Sequence, residues 1–327
     1  MKHTHVVHIG IDVSKQKLDI DAAELGATSI PNTPAQVRKA LAAIARKAKP
    51  DNPLHVCFES TGPYTGALAE QCQALELPYS ILNPNKVKHF AIAIAHAKTD
   101  PLDARLIRRY AQVKKPAPAT PPSKAVALLD KFVLARDVLV KNTVALGGVL
   151  ETLKGTPAAK PVERAIAQLQ KQTAQCDMLI QQTIDADTEL AGLVTALTAV
   201  KGVGTLTAAK VIANMPELGT LGRRNAAALA GLAPRTRESG AFKGRARIGG
   251  GRKQVRDALF MPATVAIRHN PELKRLHTRL IDKGKPYKVA LTAIMRRLLC
   301  HLEVLAKNHR ARREETPEIA PTYSKKK

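Results

Sequence analysis

Two carboxylates three residues apart, Asp100 and Asp103, lie in the run Lys98-Thr99-Asp100-Pro101-Leu102-Asp103-Ala104-Arg105, and further arginines follow at 108 and 109. Proline fits the first helical turn, so this spacing predicts a helix with Asp100 as its cap and Asp103 as its third residue. One reading is a capping box, in which the acids only satisfy backbone N–H groups. The other is chemical. Together with Asp12 and Glu59 the pair would supply four hard oxygen ligands, a set suited to two Mg²⁺ ions and phosphoryl transfer. Asp19 and Asp21 are rival donors on the neighbouring strand. Ser239, within Arg235-Thr236-Arg237-Glu238-Ser239-Gly240, is a second candidate. It is either a turn residue or a phosphoryl-transfer nucleophile whose developing charge the nearby cations stabilise. No histidine stands beside it in sequence to act as its base.

Positioning Asp12 and Glu59 requires a sheet. Val7, Ile9, Ile11 and Val13 alternate with His8, Gly10 and Asp12, which predicts a strand over 6–13 with Asp12 on the less apolar face and Gly10 leaving room beside it. Strands over 17–22 and 27–30 would complete an antiparallel meander. A helix from Pro34, capped by Thr33, comes next, and then a strand over 54–58 ending at Glu59. A helix carrying Leu68 and Leu75, a strand over 79–82, a helix from Asn83 and finally the Asp103 helix follow. This order is that of an α/β domain with a mixed sheet.

Lys114 to Ser123 is rich in proline and reads as a linker. Two helical stretches follow, broken at Lys154-Gly155-Thr156-Pro157. In the second, Val162, Ile166, Leu169, Thr173, Cys176, Ile180 and Thr183 keep the alternating spacing of a coiled-coil seam, consistent with subunit assembly or with a spacer. Val200-Lys201-Gly202-Val203-Gly204 before an alanine-rich helix has the pattern of a helix-hairpin-helix, in which Lys201 and the amides around Gly202 and Gly204 would meet a phosphate. The alternative is a tight interhelical turn. From Arg235 to Arg256 there are eight basic residues (Arg235, Arg237, Lys243, Arg245, Arg247, Arg252, Lys253, Arg256) and one acid, Glu238. Such a loop suits phosphates, and Arg105 extends the basic surface of the first domain. The divisions expected are an α/β domain over 1–115, a helical coiled-coil region over 116–192, a mainly helical domain over 193–306, and a disordered basic tail over 307–327.

The whole chain of 327 residues has 52 basic and 27 acidic side chains, a net charge of +25, so a polyanion is the expected partner. With 3% aromatic residues and no tryptophan, base stacking is a minor mode of contact. No apolar run approaches the eighteen or so residues a membrane span needs, and Met1 to His5 lacks an apolar signal core, which points to a cytoplasmic, nucleoid-associated protein. Four scattered cysteines argue against a disulfide framework, and His3, His5 and His8 are weak metal candidates.

Taken in order, Ile9-Gly10-Ile11-Asp12-Val13-Ser14-Lys15, Glu59-Ser60-Thr61-Gly62, Asn83-Pro84, the Asp100/Asp103 run, Gly202-Val203-Gly204, Ala230-Gly231-Leu232-Ala233-Pro234 and Glu238-Ser239-Gly240 resemble the DEDD transposases of insertion sequence family 110. Arg247-Ile248-Gly249-Gly250-Gly251-Arg252 and Arg268-His269-Asn270-Pro271 are more similar to its 1111-type branch. The resemblance implies a RuvC-like (RNase H-like) first domain whose Asp12, Glu59, Asp100 and Asp103 bind Mg²⁺, two ions being expected. It also implies a coiled-coil assembly region and a C-terminal domain whose Ser239 links covalently to DNA. It further implies a tetramer of two dimers and a structured non-coding guide RNA that bridges the element's ends and its target by pairing. The Gly249-Gly250-Gly251 run departs from the family pattern. Two other readings stay open: a RuvC-like Mg²⁺ nuclease with a structural Ser239, and a non-catalytic architectural DNA-binding protein.

Overall fold

The computed structural model describes residues 6–48, 51–60, 62–94, 103–236, 238–239, 242–244 and 246–315. The chain divides into two compact units, Met1–Pro121 and Pro122–Lys327, whose boundary falls inside the proline-rich linker.

The first unit is built on a five-stranded sheet. Strands β1 (Val7–Val13), β2 (Lys17–Asp21) and β3 (Ala27–Pro31) form the antiparallel meander, then α1 (Pro34–Lys47) leads to β4 (Leu54–Glu59). Thr33 occupies the cap position of α1 but its side chain makes no capping bond, contrary to the expectation. Helix α2 (Gly66–Ala74) leads to β5 (Tyr79–Leu82), and α3 (Pro84–Ile94) and α4 (Asp103–Lys114) follow. The sheet order is β3-β2-β1-β4-β5, with β1, β4 and β5 parallel, an arrangement consistent with an RNase H-like domain. The period of two sorts β1 cleanly. Ile9, Ile11 and Val13 join Val56 and Phe58 of β4 in the core beneath α1 and α2. On the opposite face Cys57 packs with Ile107, Tyr110 and Ala111 of α4. Gly10, Asp12 and Glu59 share that second face by alternation.

Among its described residues the second unit is helical apart from one short ribbon. Helices α5 (Lys124–Leu153) and α6 (Ala159–Asp185) lie side by side, and α7 (Thr188–Thr198), α8 (Thr205–Asn214) and α9 (Gly222–Leu229) follow. The ribbon β6 (Glu238–Ser239) and β7 (Phe242–Lys243) precedes α10 (Lys253–His269), α11 (Pro271–Asp282) and α12 (Tyr287–Glu315). Val162, Ile166, Leu169, Thr173 and Cys176 are half-buried and Ile180 and Thr183 buried, while the residues between them are mostly exposed. Leu129 and Val133 of α5 and Ile180 and Ile184 of α6 belong to the same core as Leu197, Leu259 and Leu302, so the expected division at 192/193 falls inside one core. The tail expected to be disordered from residue 307 is instead helical through Glu315. Ala306 is fully buried, and Arg310 donates hydrogen bonds to Leu218 O (3.0 Å) and Pro216 O (3.1 Å), which hold the last turns in place. Among the described residues no helix is long and apolar enough to cross a membrane, and all four cysteines are unpaired.

Candidate active site

Parallel pairing sets Ile11 of β1 opposite Phe58 of β4, so the next residues along, Asp12 and Glu59, emerge side by side at the end of the sheet. Helix α4 reaches the same place because Gly10 has no side chain. A Cβ there would stand 1.9 Å from Ala104 O and 2.5 Å from Arg108 N, so the helix backbone rests directly on β1. The sequence reading gave Gly10 the task of making room beside Asp12; the room is taken by α4, and Asp103, the first residue of that helix, comes with it.

The electrostatics follow from this geometry. Glu59 is pushed up to about 7, first by burial and then by the charges of Asp103 and Asp12. Asp12 is also raised, by burial and then by Asp103 and Asp19, with a hydrogen bond from the Val13 amide and the Lys17 charge opposing. Three of the four expected carboxylates therefore share one field. Asp100 lies outside the described residues, and among those described no group of three His, Cys, Asp or Glu side chains is arranged to hold a metal ion. The rival acids have other partners. Asp21 accepts from Arg108 Nε at 3.1 Å in a largely buried pair that ties α4 to β2. Asp19 pairs with Lys17 at 2.9 Å, and hydrogen bonds from Lys17 and Ser29 hold its carboxyl below the usual range. Arg105 is exposed on α4.

In the second unit Ser239 ends β6, its backbone in register with Phe242. The loop around it is a clamped ribbon. Arg235 and Arg247 exchange backbone hydrogen bonds of 2.9 and 3.0 Å at its foot. Below them Gly231 meets Gly250 and Gly251 backbone to backbone. A Cβ on Gly231 would lie 2.1 Å from Gly250 O, and one on Gly251 2.4 Å from Gly231 N. Gly231, Gly250 and Gly251 have φ of +69°, +65° and +63°, so the glycine run closes the loop and both sides of the crossing require glycine.

Arg252, expected to contact nucleic acid, is instead an anchor of that clamp. Its guanidinium meets Glu217 bidentately at 2.6 and 2.7 Å and also donates to Asn214 O at 3.0 Å. Burial alone would raise Glu217, but the Arg252 hydrogen bonds and charge hold it below the usual carboxylate range. Arg256 likewise donates to Ala230 O and Gly250 O. Lys253 pairs with Asp257 along α10, while Arg235 and Arg247 are exposed. Arg237, Gly240 and Arg245 lie outside the described residues, and for Lys243 the backbone alone is described.

The Val200–Gly204 segment turns from α7 into α8. Gly202 (φ +96°) lies against α10, where a Cβ would be 3.0 Å from Pro262 O, so its glycine is needed for packing. Gly204 is open, with Lys201 exposed nearby, and it occupies the cap position of α8 with no side chain covering the first amides. Two residues that sequence reasoning missed hold this unit together: Glu217, and Glu303, which is 2% exposed and accepts from the Gly219, Leu221 and Gly222 amides at 2.7 to 2.9 Å. Each partners groups more than thirty residues away, and no local spacing announces them.

Comparison with known proteins covers both units. The model of the transposase IS116/IS110/IS902 family matches residues 194–278, and a DEDD model of IS110 type, described as a transposase, matches residues 9–157. The chain is 30% identical over 255 residues to the pilin gene-inverting protein of Moraxella bovis, spanning 75% of this chain and 78% of that protein, and the figures are the same for its counterpart from Moraxella lacunata.

Proposed function

The chain belongs to the transposase IS116/IS110/IS902 family and is a DNA transposase or recombinase, and from that premise we propose that it cuts and rejoins DNA through a covalent Ser239–DNA intermediate assisted by Mg²⁺. The observation that carries the reading is the meeting of Asp12, Glu59 and Asp103 at one sheet end, where burial and mutual charge raise Asp12 and Glu59 more than Lys17 and the Val13 amide offset. The three described carboxylates are not by themselves arranged to hold a metal ion, but hard oxygen donors that repel one another are the donor type a hard divalent cation takes, and Asp100 would complete the set as the fourth ligand. Bound there, Mg²⁺ would polarise a phosphate oxygen and offset charge in the transition state. Asp12 and Glu59, fixed on strands, and Asp103, fixed by the contact at Gly10, orient the phosphate.

The Ser239 hydroxyl forms a new O–P bond to the scissile phosphate. The P–O bond to the sugar breaks, and that sugar oxygen leaves as a hydroxyl with the proton. Reversal onto another strand's hydroxyl rejoins DNA without nucleotide hydrolysis. The relatives' name specifies gene inversion, a reaction that needs rejoining as well as cutting, and this favours a recombinase over a nuclease. The excess of 52 basic over 27 acidic residues, with few aromatic ones, favours backbone contact by the protein and sequence reading by a paired guide RNA. Lys201 and the open amides at the start of α8 are read as a helix-hairpin-helix contact to phosphate. The α5/α6 pair, with Leu134, Val138 and Val149 exposed, is read as the coiled-coil assembly region of a tetramer.

The test is a junction PCR for excised circular element DNA in cells carrying the native flanks with wild type, Ser239→Ala or Asp12→Asn. Circles from wild type alone are expected. Circles persisting with Ser239→Ala would move the chemistry to the carboxylates and make Ser239 structural.

A further inference from the structure

Beside the serine ribbon lies a groove of about 880 Å³, formed where the returning segment 246–248 faces the α11–α12 turn and one side of α12. Its rim carries Arg247, Lys285, Lys288 and Arg296, all exposed, and no acidic residue lines it. Among the described residues none of these four side chains has a carboxylate partner. This contrasts with Arg252 and Arg297, which are committed to Glu217 and Glu272. Between the cations the walls are apolar, with Ile248 40% and Val289 53% exposed. Apolar walls under a ring of unpaired cations match a sugar–phosphate chain: sugars lie against the walls and phosphates meet the rim.

We propose that this groove holds the DNA strand that continues from the phosphodiester attacked by Ser239, with Arg247, Lys285, Lys288 and Arg296 as its phosphate contacts. Continuity of the protein chain favours that strand over any other polyanion. Arg247 is bonded to Arg235 at the foot of the ribbon whose strand β6 ends at Ser239. Ser239 is four residues from Arg235 in the chain, a reach of at most roughly 13 Å at about 3.3 Å per residue. That corresponds to about four nucleotides at about 3.4 Å per step. The groove would thus grip DNA a few nucleotides from the cut and fix the strand's direction across the serine. The assignment rests on Ser239 being the nucleophile, but binding in the groove does not require the covalent step, so the two are separable by experiment.

The experiment uses the full chain carrying Ser239→Ala, which cannot form the adduct, and measures binding of a short fluorescent single-stranded DNA of mixed sequence over a range of salt. Lys285→Ala/Lys288→Ala/Arg296→Ala should weaken binding at least tenfold and reduce the slope of log K against log salt by about 2, three contacts at about 0.7 each. Lys285→Arg/Lys288→Arg/Arg296→Lys should restore it, and Lys141→Ala/Lys160→Ala/Lys171→Ala, the same loss of charge on α5 and α6, should leave the slope unchanged. A photo-crosslinking residue at Thr292, on the groove wall of the chain with its four cations intact, should capture the DNA, a readout that does not depend on the triple variant folding, and absence of capture there would overturn the assignment. Equal slope changes in both alanine triples would overturn the assignment, as would capture of an RNA of the same sequence in preference to DNA. Adduct formation on the unmutated Ser239, scored separately, tests the nucleophile and leaves the groove result standing either way.

Discussion

At the scale of single residues the site is governed by charge that the protein alone does not neutralise. Glu59 titrates near 7 against an ordinary 4.5, so the folded chain holds its proton more tightly than the unfolded one. Folding stability from this group therefore falls as pH rises from about 4.5 to about 7, the reverse of a salt-bridged acid. A cation competes with that proton. Addition of Mg²⁺ is expected to raise the melting temperature more at about pH 8 than at about pH 6, as read by calorimetry. Glu59→Gln should remove most of the difference; an equal gain at both pH values would detach Glu59 from the cation. Gly10 gives a second, purely steric prediction. A methyl group 1.9 Å from Ala104 O cannot be accommodated without lifting α4 from β1. Gly10→Ala should cost about 1–3 kcal/mol in urea unfolding and abolish recombination with every carboxylate still in the chain. Retained recombination would show that Asp103 need not be held there.

At the scale of elements, two ion-bearing anchors hold the helical unit, and both join segments distant in sequence. Glu303 ties α12 to the turn before α9 through three amide hydrogen bonds at a buried position. Glu303→Ala leaves those donors without partners, at about 1–3 kcal/mol each, and should lower the urea midpoint of this unit more than any surface substitution on α12. The half-buried Arg252–Glu217 pair holds the foot of the serine ribbon. Glu217→Ala should speed amide exchange over residues 246–256 and slow recombination, whereas unchanged exchange would deny it a clamping role. What could be read from the chain beforehand follows the same division. The alternation of β1, the succession of strands and helices, and the proline linker are local patterns, and the antiparallel meander and mixed sheet follow from them, whereas the order of the strands depends on pairings between distant segments. By those local patterns Asp12 could be placed within the first strand, on its less apolar face, and Glu59 at the end of a later one. The helical run past residue 307, the close approach at Gly10 and the commitment of Arg252 to Glu217 depend on partners brought together by folding. A basic residue in a basic loop looks alike in sequence whether it faces phosphate or a half-buried acid from a distant segment.

At the scale of the whole molecule a net charge of +25 opposes self-association, so assembly requires apolar contact strong enough to bring like-charged copies together. The regular seam of α6 does not offer it, since Ile166, Leu169, Thr173 and Cys176 are already half-buried and Ile180 is buried. The available surface is on α5, where Leu134 is 60% and Val138 50% exposed, and Val149 lies further along the same side at helical spacing. If α5 and α6 are the assembly region, the contact between copies runs through this stripe, and the α6 seam serves only to build the arm. The two roles separate on substitution. Leu134→Glu/Val138→Glu should leave helical content and melting temperature unchanged while shifting the chain to monomer in analytical ultracentrifugation. Ile166→Glu should lower the melting temperature as well, because a charge then faces α5. Recombination should be lost in the stripe variant, while binding of single-stranded DNA at low salt persists, since the charge that attracts DNA is intact in each copy. An oligomer that survives both glutamates would put the assembly contact elsewhere on the chain and leave the exposed stripe of α5 without that role.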